Sequence, residues 1–256
     1  MNPGRQSPHW NRTGDNTPPM WNANMIDIRP FAALAHRDHG WLETRYHFSF
    51  SDYHDPARMG WGALRVWNDD KIAAKSGFPP HSHSDMEIVT FVHSGAITHQ
   101  DSLGNQGRTV AGDVQVMSAG TGITHAEYNL EDEETTLFQL WILPDRAGES
   151  PSWGAREFPH GDRSGRFVVL ASGQPANDDA LPIRADSSVL AAKLAAGEHV
   201  SYDADAARHQ YLVPINGRVR VNGQDAGPRD GIAVTGEHKL VVEAIDDVEL
   251  VLVDTR

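Results

Sequence analysis

From residue 25 onward the chain is cut into short apolar runs by tight turns. MEIVTFV, AITHQ, RTV, VQVMS and LFQLWILP are separated by stretches such as SG, DSLGNQG and AGD. Runs of about 4–8 residues rich in β-branched and aromatic side chains, bounded by Gly, Asn, Asp and Ser, specify a sandwich or barrel of strands. The theme resumes after residue 165 with RFVVLAS, QYLVPINGRVRVNGQ, GIAVTGE and HKLVVEAIDDVELVLVD. SVLAAKLAA carries the Ala and Leu of a helix, but its residues alternate and lead directly into a turn, so a strand is expected there.

The expected architecture is all-β, with two tandem β-barrels of jelly-roll type. Residues 1–24, rich in Asn, Pro, Arg and Gly and without an apolar period, read as a disordered N-terminal extension. Residues 25–146 would form a first barrel, 147–165 a polar connection, and 166–256 a second barrel. Aligning the turn glycine of FVHSG with that of PINGR gives a weak internal repeat. Under that alignment His81 and His83 fall on Asp203 and Asp205, and Glu87 falls on His209. The second unit is therefore expected to be a degenerate copy without ligands.

Composition narrows the chemistry. The chain has no cysteine, which removes disulfides, thiolate zinc sites, iron–sulfur clusters and cysteine nucleophiles. Any metal must sit on His, Asp, Glu and water. A formal charge of −13 argues against nucleic acid and anionic membranes as partners, because phosphate binding draws on Lys and Arg. No apolar run approaches the roughly 20 residues of a membrane helix. The start of the chain lacks the basic and apolar stretches of a secretory signal, so a cytoplasmic address is expected.

The informative stretch is GFPPHSHSDMEIVTFVHSG, followed by AGDVQVMSAGTGITHAEYN. Alternate residues of a strand face one side. His81, His83, Asp85 and Glu87 would then share a face, as would His125, Glu127 and Asn129. With 14 histidines in 256 residues, about one His-x-His pair arises by chance, so the pair alone means little. Its company carries the weight: Gly77 before it, Glu87 after it, and a His-x-Glu pair 44 positions downstream. Imidazole and carboxylate donors suit Fe, Mn, Co, Ni, Cu or Zn rather than Ca or Mg. One divalent ion is expected, with His81, His83, His125 and a nearby glutamate as ligands.

HSHSDMEIVTFV, THQDSLGNQG, AGDVQVMSAGTGITHAEYN and LFQLWILP closely resemble the pirin family of the cupin superfamily. HGWLETRYHFSFSDYHDP and LRVWNDD point to its bacterial quercetin 2,3-dioxygenase-like branch. The likeness is dense from Met25 to about Pro159 and looser beyond. It implies a bicupin with the metal, iron before the other candidates, in the N-terminal barrel. The family's ligands map onto His81, His83, His125 and Glu127. Its usual proline between the first two histidines is Ser82 here, which leaves the spacing intact. Cupins at large take the fourth ligand from the position of Glu87. Strand parity leaves both glutamates open, and the resemblance selects Glu127 with Glu87 behind the ligands.

The resemblance further implies a small aromatic polyphenol, a flavonol such as quercetin, reacting with O2. The C-ring would open to release carbon monoxide and a depside, with Glu127 or Glu87 as base for the 3-hydroxyl proton. It also permits a metal- or redox-responsive regulator that binds a protein partner, and cupins support other reaction classes on the same scaffold. His93 shares parity with the ligands but lies too far along its strand to join them. His47, His54, Phe48, Phe50, Tyr53, Trp61 and Trp67 lie in a segment expected near the barrel mouth and are read as core, with an aromatic substrate wall the lesser reading. Asn129 reads equally as a turn cap or a ligand contact, Glu131–Glu134 as a solvated loop, and His209 as structural. Deleting residues 1–24 should leave both melting temperature and metal content unchanged. A drop of several degrees would show that the segment packs on the barrels.

Overall fold

The structure is a computed structural model that describes residues 25–158, 163–174 and 179–256. The extension assigned to residues 1–24, and part of the connection, lie outside the described residues. Among those described, 22 strands form two seven-stranded and two four-stranded sheets. Every ladder is antiparallel except a two-residue pairing of Val168–Ser172 with Leu181–Pro182. Most of SVLAAKLAA lies in the strand Ser187–Leu194, because tertiary burial on both faces overrides the helix propensity of Ala and Leu. No helix among the described residues is long and apolar enough to cross a membrane.

Each barrel sets one seven-stranded sheet with one four-stranded sheet, and the strand orders correspond. In the first barrel Glu87–Ser94 lies between Val114–Ser118 and Thr135–Ile142, and the smaller sheet runs Ser76–His83, Ile123–Asn129, Ala96–Asp101, Gln106–Val110. In the second, His209–Pro214 lies between Gly231–Thr235 and Val248–Thr255. The strand after the aligned turn glycine is in the small sheet both times, as the weak repeat requires.

Two edge strands depart from the expected boundaries. Met25–Arg29, assigned above to the first barrel, pairs with Gly231–Thr235 at the edge of the second barrel's sheet. Ser152–Arg156, assigned to the connection, pairs with Val114–Ser118 at the matching edge of the first barrel. An apolar run of the right length announces a strand but not the edge it will cover. The demand to pair edge N–H and C=O groups decides that.

The two large sheets are united by one apolar cluster that draws on both barrels, with Phe48, Trp61, Trp67 and Phe138 from the first and Tyr211, Val213, Ala233 and Val253 from the second. The segment expected near the mouth thus supplies core: His47, Phe48, Trp61 and Trp67 are buried, and His54 is exposed. His47 Nδ1 meets the Tyr211 hydroxyl at 2.9 Å, and the Arg29 guanidinium lies over the rings of Phe48, Trp61 and Tyr211.

The barrel interiors differ. A single apolar cluster that includes Leu190, Val200, Leu212, Val219, Val242 and Leu252 fills the second. The first holds two small clusters, one around Ile72, Val92 and Ile97 and another around Ile88, Met117 and Ile123. Buried polar side chains, among them Thr90, His99, Gln115, His125, Glu127 and Gln139, belong to the same barrel. Asp203 and Asp205, at the repeat positions of the two histidines, are exposed.

Gly231 sits where the barrels meet, and a Cβ there would lie 2.0 Å from the Tyr211 hydroxyl and 2.8 Å from His47 Nδ1. Gly231→Ala should overpack this junction at a cost of about 1–3 kcal/mol. Calorimetry should then show a Tm lower by roughly 2–12 °C for a chain of this size; an unchanged Tm would mean that the junction has slack.

Candidate metal centre

The site is made by pairing two strands of the small sheet. Ser76–His83 runs antiparallel to Ile123–Asn129 with His81 opposite His125 and His83 opposite Ile123. Ring centroids are 4.4 Å apart for His81 and His125, 5.0 Å for His83 and His125, and 4.8 Å for His81 and His83. One ring nitrogen from each of the three lies within 4.8 Å of the other two. The carbonyl oxygen of Pro79 can only accept, so His81 Nδ1–H donates to it at 2.8 Å. That fixes the tautomer and leaves Nε2 with its lone pair.

Burial, with help from neighbouring imidazoles, keeps His83 and His125 neutral. It pushes His83 down to about 4, aided by His81. It pushes His125 down to about 2, aided by His81, His83 and His99. Neutral imidazole is the form that ligates a cation. His125 Nε2 is buried and meets no hydrogen-bond partner. An orphaned buried acceptor beside two half-exposed imidazoles is the arrangement a cation resolves, so the donor set fits a divalent first-row metal.

Glu127 is buried on the same strand, but the register shifts between it and His125. Its carboxylate accepts from Gln115 Nε2 at 2.6 Å, Gln139 Nε2 at 2.8 Å and Thr90 Oγ1 at 3.4 Å. Burial raises its pKa to about 7 against those three donors. Glu127 forms a second group of potential ligands with His125 and His99, again within 4.8 Å. His125 belongs to both groups.

The structure does not bring Glu87 into either group. Strand parity fails because His83 and Glu87 are not on one strand: Asp85 adopts φ 47° between them, and the chain passes from the small sheet to the large one. Glu87 Oε2 instead accepts from Ser118 Oγ at 2.5 Å and from the Arg184 backbone N–H at 3.1 Å. Asp85 is likewise engaged elsewhere, accepting from the Gly148 N–H.

Asn129 is a turn brace, its amide donating to the carbonyls of Ile72, Ala73 and Glu133 while its oxygen accepts from the Glu131 N–H. His93 stands apart from both groups, 2.8 Å from Thr136 Oγ1. Glu131, Asp132 and Glu134 pair with Arg108, Lys75 and Lys71 at the surface. His209 packs against the edge of Trp61.

Sequence reasoning passed over His99, Gln115 and Gln139. The glutamines left a trace, each a single amide flanked by apolar residues in a strand (VQV, FQL). His99, alone in AITHQ, left none. It is buried, stacks on Trp153 at 4.8 Å and 8°, and meets Asp101 Oδ2 at 3.1 Å. Burial pushes its imidazole below the ordinary value against the pull of Asp101. Trp153 arrives on Ser152–Arg156, the edge strand assigned to the connection.

Aromatic rings flank the half-exposed histidines. Trp141 meets His83 edge-on at 4.9 Å and is itself backed by Phe50, while Phe78 lies 6.2 Å from His81 and is backed by Trp41. Ser82 Oγ and Thr124 Oγ1 lie 2.7 Å apart, a cross-strand clamp between the two histidines of the first strand.

Comparison with known proteins bears on the family and the fold. Residues 28–142 match the Pirin family model, and residues 169–255 match the model described as the quercetinase C-terminal cupin domain. A pirin-like protein of Caulobacter vibrioides is 60% identical over 230 residues, covering 90% of this chain and 99% of that protein. A quercetin 2,3-dioxygenase of Escherichia coli K12 is 39% identical over 231 residues, covering 90% of this chain and 98% of that one. The crystal structure of a bacterial pirin from Escherichia coli in complex with nickel(II) superposes with a TM-score of 0.85 at 39% identity, covering 90% of this chain and 99% of that chain.

His83→Ala should fold normally and lose stoichiometric metal. Elemental analysis alongside circular dichroism checks this, and a variant that keeps one metal per chain would refute the ligand role of His83.

Proposed function

The chain belongs to the pirin family, and from that premise we propose that it is a metal-dependent dioxygenase that opens the C-ring of flavonols such as quercetin with O2, releasing carbon monoxide and a depside. The observation that carries the reading is the buried, unpartnered His125 Nε2 beside two half-exposed imidazoles, in a relative of proteins named quercetin 2,3-dioxygenase.

In this reading His81, His83 and His125 hold the metal and Glu127 completes the set. The bound divalent ion would supply a Lewis acid that lowers the pKa of a coordinated hydroxyl. The donors suit iron, placed first from the resemblance, and equally the nickel found in the Escherichia coli relative. The chain does the rest. Trp141 and Phe78 would border a flat polyphenol, where aromatic faces and edges bury ring area at little conformational cost. Glu127 is the base for the flavonol 3-hydroxyl, taking the proton on a carboxylate oxygen. Burial raises the metal-free carboxyl to about 7, and a bound cation would bring it back toward the carboxylate, the form that can accept a proton. Gln115 and Gln139 steer the carboxylate through their amide donors. Glu87, the alternative base, is engaged by Ser118 and the Arg184 backbone.

Metal-loaded protein should consume O2 with quercetin and release carbon monoxide and the depside in equal amounts. Glu127→Gln should lower turnover by about 10²-fold or more, and Glu87→Gln should stay within a few-fold of the parent. Metal-replete protein that yields neither product removes the dioxygenase reading; loss of activity in Glu87→Gln with Glu127→Gln active would reverse the two roles.

A further inference from the structure

The small sheet contains a chain of polar contacts that ends on a proposed ligand without reaching the substrate. His99 Nε2 is 3.1 Å from Asp101 Oδ2, and His99 Nδ1 is 3.4 Å from His125 Nδ1. His99 and Asp101 have side chains 1% and 0% exposed, so water does not substitute for either contact.

We propose that Asp101 and His99 are positioning residues that fix the tautomer of His125, holding its proton on Nδ1 so that Nε2 stays bare for the metal. The inference rests on the metal-holding role of His125 and not on the reaction catalysed.

Each link follows from donor and acceptor inventory. Asp101 is surrounded by donors: Oδ1 accepts from the backbone N–H groups of Leu103 and Asn105, and Oδ2 accepts from Asn105 Nδ2. Such a carboxylate can only accept from His99, so the single proton of a neutral His99 lies on Nε2. His99 Nδ1 is then an acceptor, and the only group offered to it by His125 is Nδ1, which must be N–H. The remaining nitrogen, His125 Nε2, carries the lone pair and is the buried atom without a partner. A ligand imidazole commonly has its other nitrogen held by a carboxylate or carbonyl. His81 uses the Pro79 carbonyl directly, whereas His125 reaches its carboxylate through a second imidazole.

The surroundings hold the relay in plane. Trp153 stacks on His99 almost parallel. The indole comes that close because Gly107, opposite His99 in the sheet, has no side chain; a Cβ there would sit 2.3 Å from the Trp153 ring.

Asp101→Asn inverts the logic with one atom changed. The two backbone N–H groups on the Oδ1 side keep the amide oxygen facing them, which turns the amide NH2 toward His99. His99 Nε2 must then accept, its proton moves to Nδ1, and His125 Nδ1 becomes the acceptor. The His125 proton is driven onto Nε2, the metal-facing atom.

Nitrogen-15 NMR of the metal-free full chain, with His125 signals identified by their loss in His125→Gln, reads the tautomer directly. The parent should show His125 protonated at Nδ1, and Asp101→Asn should show it at Nε2. Titration with Ni(II) should give binding 10–100-fold weaker in Asp101→Asn, the range expected when support behind a ligand is lost. Asn105→Ala, which removes a turn contact but not the contact to His99, should match the parent in both measurements. His99→Phe keeps a flat ring on Trp153 but removes the acceptor; it should mix the two His125 tautomers, and it serves if Asp101→Asn does not fold. A parent with His125 protonated at Nε2, or an Asp101→Asn variant with unchanged tautomer and Ni(II) affinity, overturns the proposal. Neither result bears on whether quercetin is the substrate.

Discussion

The antiparallel register that sets His81 opposite His125 is the constraint on which the rest of the molecule depends. A slip of one residue in a strand pair turns every side chain to the other face, which would point both histidines of the first strand away from the third. The register is held at several points along the two strands. Ser82 and Thr124 clamp them across the rim, and Thr124 N–H donates to Ser102 Oγ from the next hairpin. At the far end Gly77 accepts Tyr128 against its bare backbone, where a Cβ would fall 2.2 Å from the Glu127 carbonyl oxygen. The irregularity between His125 and Glu127 therefore stands between two fixed ends, and it places the glutamate among Gln115, Gln139 and Thr90.

Why, among the described residues, the clustered histidines lie in the first barrel and not in the second follows from what fills them. Both have the same strand plan, and in the second the inward positions of Lys239–Ala244 are Leu240, Val242 and Ala244. That interior is continuous apolar packing, which stabilises at roughly 25 cal/mol per Å² of area removed from water. The first interior gives up part of this stabilisation, since each buried polar group costs free energy unless it is satisfied. The second barrel offsets the deficit by lending its large sheet as the other half of a shared core. Met25–Arg29, from the start of the first unit, crosses to the second barrel's edge, so the two units are tied by chain as well as by packing.

Strands, turns, the tandem plan and the three histidines were legible because each is written locally, in alternation, in turn residues, or in spacing along one strand. The misreadings share one physical origin. Parity placed Glu87 with His81 and His83 on the assumption that one strand continues, and a left-handed residue at Asp85 ends it. Nothing local distinguishes an Asp that bends the chain from one that rides along it. Met25–Arg29 was recognisable as a strand and Ser152–Arg156, read as part of the polar connection, was not, and the partners of both are set by which open edge lies nearby in space. His99 was missed for the same reason, since its relation to His125 exists only once two hairpins are side by side.

Glu127 shows what the polar interior of the first barrel is for. A carboxyl whose pKa rises from 4.5 to about 7 on folding is bound to a proton in the folded chain over a range where the unfolded chain has released it. Folding stability from this group is therefore intact below pH 4.5 and declines as pH climbs toward 7, the opposite of a surface carboxylate in an ion pair. Natural selection of a stable barrel would place leucine there, as the second barrel does at its inward positions. A glutamate held by two glutamine amides, beside an imidazole with one bare nitrogen, is destabilising on its own. It becomes favourable once positive charge lies against it, and the neutral imidazoles around it supply none. On the proposed assignment the interior of the first barrel is complete only together with a cation, and the tautomer proposed for His125 keeps the way to that cation open.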